Sequence, residues 1–272
     1  MRKFILAQNT QKQEILDFLY QNKTFLNTFL ISDIENFGLS ENNSIFTYIN
    51  EDQIQDVILY FYGNLVIFLK DEHFDKQSFI KIVKSHNVAN ILLVGIKPEI
   101  LVNILKEFGF DYTIYTETFM KLNIEKFKQK YQDVNLKSLK IKFTDINLIV
   151  QEFKKIDEFK GFGDQMYNEQ YLEQAYNIGS YFGYIIKQKD HVLSHAASSA
   201  VTNSAIMLGR IFTIPSARHK GYAFDCIINL CHDIIKINKT PILFSNNLNA
   251  IKLYEKIGFE PIGDFIVLTK NN

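Results

Sequence analysis

One stretch of this sequence occurs twice, 149 residues apart. The segment NILKEFGFDYTIYTETFMKL begins at Asn103, and KLYEKIGFEPIGDFIVLTKN, which aligns with it, begins at Lys252. Each copy predicts a helix, a stop formed by an apolar residue, glycine and phenylalanine, and then a polar connection and a closing strand. Gly109 and Gly258 suit the left-handed residue that ends many helices. The repeat favours two tandem copies of one α+β fold in a chain of 272 residues.

The first half of the chain has an apolar pattern that alternates between strand and helix periodicity. A helical pattern runs from Ile15 to Leu30, and the polar stretch 33–43 that follows it predicts a turn or loop. The later apolar runs predict strands at 45–49, 57–62, 65–69, 90–94 and 113–122, and helices at 74–85 and 97–108.

The stretch 123–140 is rich in Lys, Gln and Asn and predicts a connection between two domains, 1–125 and 138–272. Beyond it the apolar pattern restarts in a similar order. It predicts helices at 146–156, 168–176, 221–237 and 250–256, and strands at 182–187, 192–201, 205–214, 242–244 and 265–269. We therefore expect an α+β protein in which each domain is a mixed, mostly antiparallel sheet flanked by helices.

Composition and charge exclude several classes of function. The chain is 47% hydrophobic, which excludes a disordered protein, and its 30 basic residues balance 30 acidic ones, which argues against a nucleic-acid or anionic-membrane partner. The most apolar window, 58–69, is too short to span a membrane. The apolar stretch near the start is too short for a signal peptide. Cys226 and Cys231 point away from each other on a predicted helix, so we expect no disulfide and a cytoplasmic protein.

The segment Gly209–Ile237 carries the clearest chemical signal. A strand ends near Pro215, a basic turn follows, and a helix begins at about Gly221. Such a turn directs backbone N–H groups and the positive end of a helix dipole at one place, which suits a phosphate or pyrophosphate. The alternative is an ordinary strand–helix turn with solvated basic residues.

The run T-I-P-x-x-R-x-K-G-Y-A, from Thr213 to Ala223, resembles the acyl-CoA-binding signature R/Q-x-x-G-x-G/A of the GNAT superfamily of N-acyltransferases. A second motif of that family, N-x-x-A-x-x-L-Y-x-K-x-G-F, follows after a predicted helix and strand. Its residues are Asn247, Ala250, Leu253, Tyr254, Lys256, Gly258 and Phe259. The resemblance covers 141–272 and implies tandem GNAT-like domains, of which the C-terminal one carries the motifs.

The resemblance also implies roles for individual residues. The fourth strand of such a domain splays from the fifth, and its backbone, here Ile211, Phe212 and Thr213, pairs with the pantetheine arm of acyl-CoA. Tyr254 corresponds to the general acid that protonates the departing thiolate, and Asn247 to an asparagine near the pantetheine. The pyrophosphate would be held by the turn residues Arg218, His219, Lys220, Gly221, Tyr222 and Ala223.

The general base cannot be assigned from the sequence. Family members often carry an acidic residue on the fourth or fifth strand, but neither AIMLGRIFTIP nor PILFSNN contains one. His195, on a predicted strand, is either a base or a structural histidine. Arg210 either binds a substrate carboxylate or lies outward in solvent. His191 and His195 share a strand face without a third ligand, so we expect no metal site.

The expected reaction is direct transfer of an acetyl group from acetyl-CoA to a primary amine in a ternary complex. The alternative is a non-catalytic module that senses acyl-CoA; a transferase that uses aminoacyl-tRNA is disfavoured by the neutral charge. The acceptor, a small molecule or a peptide, is not specified. The aromatic residues in Asp157–Asn177 indicate either an apolar or amphipathic acceptor or ordinary packing. The N-terminal half lacks the R-x-x-G-x-A run and has Leu105 in the place of Tyr254, which predicts a domain without a cofactor site.

Overall fold

The computed structural model describes residues 1–22, 25–41, 44–157 and 168–271. The chain forms two compact units. Unit 1 comprises Met1–Glu117 together with Asp264–Asn272, and unit 2 comprises Thr118–Gly263.

Unit 1 is built around one sheet, and its strand order is β1-β3-β4-β5-β6, followed by the final part of β13, with β2 paired to β3. Strands β5 and β6 are parallel, whereas β13 pairs antiparallel with β6. The elements that begin in this unit are β1 (Phe4–Leu6), α1 (Lys12–Gln21), α2 (Thr28–Phe37), β2 (Ser40–Glu41), β3 (Ile45–Asn50), β4 (Asp56–Phe61), β5 (Asn64–Leu69), α3 (Lys76–Ser85), β6 (Asn90–Gly95), α4 (Pro98–Glu107) and β7 (Tyr112–Leu122).

In unit 2 the final part of β7 is followed by the strand order β12-β11-β10-β9-β8. Strands β11 and β12 are parallel, and the other pairs are antiparallel. The elements that begin in this unit are α5 (Ile124–Tyr131), β8 (Leu139–Lys140), α6 (Ile146–Phe153), α7 (Glu169–Asn177), β9 (Gly183–Gln188), β10 (His191–Val201), β11 (Ala205–Thr213), α8 (Tyr222–Lys236), β12 (Thr240–Ser245), α9 (Leu248–Ile257) and β13 (Phe259–Lys270).

The two units repeat one order of elements, as the sequence repeat predicts. Three antiparallel strands lead into a helix, a strand parallel to the third, another helix and a long closing strand. The helices that precede the closing strands, α4 and α9, are followed by Gly109 and Gly258, both of which have a positive φ angle. The fold is therefore α+β, with two tandem units that each combine a mixed sheet with flanking helices.

The boundaries of the units differ from the predicted domains 1–125 and 138–272. The final part of β7 belongs to unit 2, and the final part of β13 belongs to unit 1. Leu268 of β13 is fully buried in the core of unit 1, and its strand pairs with β6. Met120 and Leu122 of β7 are buried in the core of unit 2, and their strand pairs with β12. An apolar pattern identifies a strand but not its partner, so the sequence could not reveal this exchange.

The helical pattern at 15–30 falls on parts of two helices, and the loop predicted at 33–43 is wrong for its first five residues, which are helical. Helix α1 ends at Gln21, and α2 continues to Phe37. Leu30, Ile31 and Ile34 form the fully buried side of α2, and this burial outweighs the polar residues that predicted a loop. Cys226 and Cys231 are free and buried. Within the described ranges, none of the helices combines the length and apolar character that a membrane crossing requires.

Because the final part of β13 belongs to unit 1, its buried side chains should stabilise the core of that unit. Leu268→Ala should lower the free energy of unfolding by about 2–5 kcal/mol, because it leaves a cavity in the core of unit 1. The matched change Leu248→Ala removes a side chain that is 74% exposed and should have an effect of about 0.5 kcal/mol or less. Denaturant unfolding of both variants measures the difference, and equal effects would contradict the assignment of β13 to that core.

Candidate active site

The two parallel strands of unit 2 part soon after they begin. Strand β11 pairs with β12 only from Ala205 to Met207, opposite Thr240 to Ile242. Beyond this point β11 pairs with β10 up to Thr213, and β12 pairs on its other edge with the end of β7. Residues 208–213 and 243–245 therefore border a gap, across which the described residues show no strand pairing. Such an edge offers N–H donors and C=O acceptors to an extended ligand.

A β-bulge deforms β11 at the gap. Phe212 pairs with His195 and Gly209 with Ala197, so two residues, Arg210 and Ile211, lie opposite one. Arg210 has a φ angle of 51°, a left-handed conformation that is unfavourable for a residue with a Cβ. Bulges redirect side chains and interrupt pairing. Interactions with neighbouring residues must therefore hold the bulge at Arg210 in place.

Both ring nitrogens of His195 form hydrogen bonds, and Nδ1 holds the bulge. Its Nδ1 lies 2.6 Å from the carbonyl oxygen of Arg210, and because a carbonyl only accepts, Nδ1 carries the proton. Nε2 then accepts a hydrogen bond from the hydroxyl of Tyr181 at 2.8 Å. Burial lowers the pKa of His195 to about 3. The ring is fully buried, neutral and satisfied, which favours the structural alternative over the general base.

The turn after β11 has the geometry of an anion site. His219 and Gly221 have φ angles of 62° and 79°, and the 3₁₀ turn Pro215–Ala217 precedes them. In the described part of the chain, the amides of residues 219–224 donate to no backbone oxygen, and they lie at the N-terminus of the 15-residue helix α8. The helix dipole adds positive potential there. A Cβ built on Gly221 would meet no atom within 4 Å, so the space above the turn is open.

Arg218 contributes to this turn differently from the other residues. Its amide donates to the carbonyl of Pro215 at 3.3 Å, so the free amides begin at His219 and not at Arg218. Its Nε donates to the carbonyl of Thr213 at 3.1 Å, which ties the turn to the end of β11. The side chains of His219 and Lys220 are exposed, whereas Tyr222 and Ala223 are half-buried in the first turn of α8.

Tyr254 lies on the other side of the gap, in the second turn of α9. Its ring is buried in the core of unit 2 together with Leu208 and Leu243, the first residues beyond the paired segments. Burial raises its pKa well above the ordinary value for a tyrosine, so the phenol stays protonated. Among the described residues, no group accepts a hydrogen bond from this hydroxyl, which leaves it available as a donor.

Asn247 caps α9. Its Oδ1 accepts hydrogen bonds from the amides of Asn249 and Ala250, and its side chain is otherwise exposed. The oxygen therefore has a structural partner, and only the amide nitrogen is left to contact a ligand.

The acceptor side of the site is described in part. Phe159, Phe162 and Tyr167 of the aromatic segment lie outside the described residues. Tyr171 is buried on α7, and Tyr176 packs edge-on against Phe143. Among the described residues, no group of three His, Cys, Asp or Glu side chains forms a candidate metal site.

Unit 1 has the same elements without the gap. Strands β5 and β6 stay paired over six residues, from Asn64–Asn90 to Leu69–Gly95. The turn that follows β5 is acidic: an Arg2 hydrogen bond lowers the pKa of Asp71 to about 2, and the side chain of Asp75 caps α3 by accepting from the amide of Gln77. A carboxylate already occupies the helix N-terminus, so this turn repels an anion.

Two tandem α+β units, one with a splayed parallel pair above a glycine turn, define a GNAT-type protein. The family model for GNAT acetyltransferase matches residues 42–268, and the chain belongs to this family of acyltransferases, which use acyl-CoA co-substrates. Comparison with curated proteins gives no match.

Solved structures share the fold along the whole chain. A GCN5-related N-acetyltransferase-like protein from Streptococcus suis is 16% identical, with a TM-score of 0.64 over 97% of this chain and 100% of that one. A GCN5-related N-acetyltransferase from Kribbella flavida is 12% identical, with a TM-score of 0.60 over 92% and 95%. A tandem GNAT protein from the clavulanic acid biosynthesis pathway is 10% identical, with a TM-score of 0.60 over 99% and 98%.

The histidine that holds the bulge predicts a pH dependence of stability. An unfolded histidine titrates near pH 6.5, whereas folded His195 stays neutral down to about pH 3. Between these values the unfolded state binds one more proton, so stability falls as the pH falls, by up to about 1.4 kcal/mol per unit. Urea unfolding from pH 7 to 5 should show a steeper loss for the wild type than for His195→Gln, and parallel profiles would contradict the buried neutral ring.

Proposed function

We propose that the chain is an N-acetyltransferase that moves an acetyl group from acetyl-CoA to a primary amine, with the site in unit 2. The observation that carries the proposal is the parting of β11 from β12 after Met207, next to the open turn at Gly221. The gap suits the pantetheine arm, which would pair with the backbone of Ile211, Phe212 and Thr213. The turn suits the pyrophosphate, which would receive hydrogen bonds from the amides of His219, Lys220, Gly221, Tyr222 and Ala223, with Arg218 adding charge.

The proposed chemistry is direct transfer in a ternary complex. The amine nitrogen attacks the thioester carbon, the C–N bond forms, and the C–S bond breaks. The phenol of Tyr254 donates its proton to the departing thiolate, and the attacking nitrogen loses a proton to solvent water. A covalent acyl-cysteine is disfavoured because Cys226 and Cys231 are both buried, and burial raises the pKa of Cys226 to about 12.

A sensor that binds acyl-CoA without turnover is the second candidate. It is supported by the absence of an acidic residue from β11 and β12, which leaves no general base on the strands that border the gap. The unpartnered hydroxyl of Tyr254 supports the enzyme instead, since a sensor has no use for a buried acid. Thiol release from acetyl-CoA with a panel of amines separates the two.

Gly221 tests the location of the cofactor. Gly221→Val places a β-branched side chain at φ 79°, in the open space that the amides face, and should weaken CoA binding about tenfold or more. Gly179 has nearly the same φ angle, 76°, and equally open surroundings. Gly179→Val is therefore the matched control and should bind CoA normally. Calorimetry that finds equal CoA affinities for the two variants would refute the assignment of the turn.

Tyr254 tests the proposed acid. Tyr254→Phe should keep its affinity for CoA but lower kcat roughly 10²-fold or more, because the thiolate then leaves without a proton donor. Tyr131→Phe is the control: this ring lies in the same core, and its hydroxyl donates to the carbonyl of Lys256, away from the gap. Unchanged kcat in Tyr254→Phe would remove the phenol from the mechanism.

A further inference from the structure

Arg210 presents a cation on the acceptor side of the proposed site. Its guanidinium carbon lies 5.7 Å from the centre of the Tyr171 ring on α7, whereas its neighbour Ile211 packs in the core beneath α8. Its Nε is completely buried, and none of the residues that the structure describes forms a hydrogen bond with it. The residue as a whole is half-buried, so its terminal nitrogens remain within reach of a ligand. The buried Nε argues against the alternative of an outward, solvated arginine.

The charge of Arg210 is not matched by an anion within the described residues. The buried carboxylates of unit 2 already have cationic partners: Asp145 lies 2.7 Å from Lys187, and Glu152 lies 2.9 Å from Lys155. A partly buried cation without a counter-ion is unfavourable, and an anionic ligand would relieve this cost. Among the residues that the structure describes, the charge of Arg210 is therefore left for a ligand to match.

The bulge determines where that ligand would lie. Arg210 is one of the residues 208–213 that border the gap, and its carbonyl is fixed by His195. The side chain therefore extends from the strand that would hold the acyl donor. An anion bound by Arg210 lies beside the acyl group, where the acceptor must also be bound.

We propose that Arg210 binds a carboxylate of the acceptor, which makes the acceptor an amino-acid-like compound with a primary amine and a carboxylate. This inference rests on the proposed acetyltransferase function. A planar guanidinium matches the two oxygens of a carboxylate with two parallel hydrogen bonds. A phosphate would carry a second negative charge that this single cation does not match. The ring of Tyr171, over which the cation lies, keeps the guanidinium in position.

The test compares two acceptor pools in the full-length protein. One pool holds the common amino acids other than Asp, Glu, Pro and Cys, and the other holds the same amino acids as C-terminal amides, which keep the primary amine and lose the carboxylate. Thiol release from acetyl-CoA gives kcat/KM for each pool. The wild type should favour the acids over the amides at least about 30-fold, mainly through KM.

Substitutions of Arg210 test whether its guanidinium causes this preference for acids. Arg210→Gln should abolish the preference for acids, and Arg210→Lys should retain only part of it, because an ammonium cannot form the paired hydrogen bonds. Lys189→Gln is the matched control: Lys189 is exposed and also has a left-handed φ angle, 52°, so the change removes one positive charge at the same type of backbone position. This control should keep the preference of the wild type.

Each outcome is decisive. Equal use of acids and amides by the wild type, or an unchanged preference in Arg210→Gln, would overturn the carboxylate assignment. So would turnover confined to amines that lack a carboxylate, such as polyamines, although that result would support the acetyltransferase. Absence of thiol release with both pools and with the other amines would contradict the proposed function itself.

Discussion

The structure of the site depends on one backbone feature, the separation of β11 from β12 after three paired residues. A parallel pair in the middle of a sheet normally continues, because each unpaired N–H and C=O loses a hydrogen bond. Here the separation coincides with the bulge at Arg210, which changes the direction of β11 while β10 still pairs with it. The bulge in turn depends on His195, which satisfies the Arg210 carbonyl from inside the core. Buried hydrogen bonds on the far side of the strand therefore hold the bulge that lies beside the gap.

The two units show that the fold alone does not make this site. Both have a parallel pair followed by helices, but β5 and β6 stay together up to Gly95, where a Cβ would lie only 1.8 Å from the carbonyl oxygen of Leu69. The close approach of these backbones leaves no space for a ligand. The acidic turn with Asp71 and Asp75 also lacks the electrostatics for a phosphate. Unit 1 keeps the architecture of the repeat, whereas its geometry and charge oppose binding of an acyl-CoA.

Local features of the site could be predicted from the sequence, and long-range ones could not. The left-handed glycines at 109 and 258 and the helix that begins at Tyr222 follow from local rules, and the structure has them. The bulge has no such signal, because the run AIMLGRIFT, in which it lies, has the pattern of a regular strand. Its contact between His195 and Arg210 joins residues of different strands. The buried pairing of His195 with Tyr181, 14 residues earlier, was missed for the same reason.

The closing strands illustrate the same limit. Their apolar patterns predicted β7 and β13 as strands, but a pattern of alternation does not say which sheet accepts them. Leu268 and Met120 are both fully buried, each in the unit that the linear order of the sequence does not predict. The fold class and the order of the elements were thus accessible from sequence, whereas the boundaries of the units required the tertiary contacts.

Hydrogen–deuterium exchange with and without CoA, on the full-length protein, tests the central claim most directly. The claim is that the open edge of β11 and the turn before α8 receive the cofactor, and that the closed pair of unit 1 does not. CoA should slow exchange in peptides that cover residues 208–213 and 219–224 and leave residues 65–76 unchanged. Protection of the turn at 70–75, or unchanged exchange across 208–224 at a saturating CoA concentration, would contradict it.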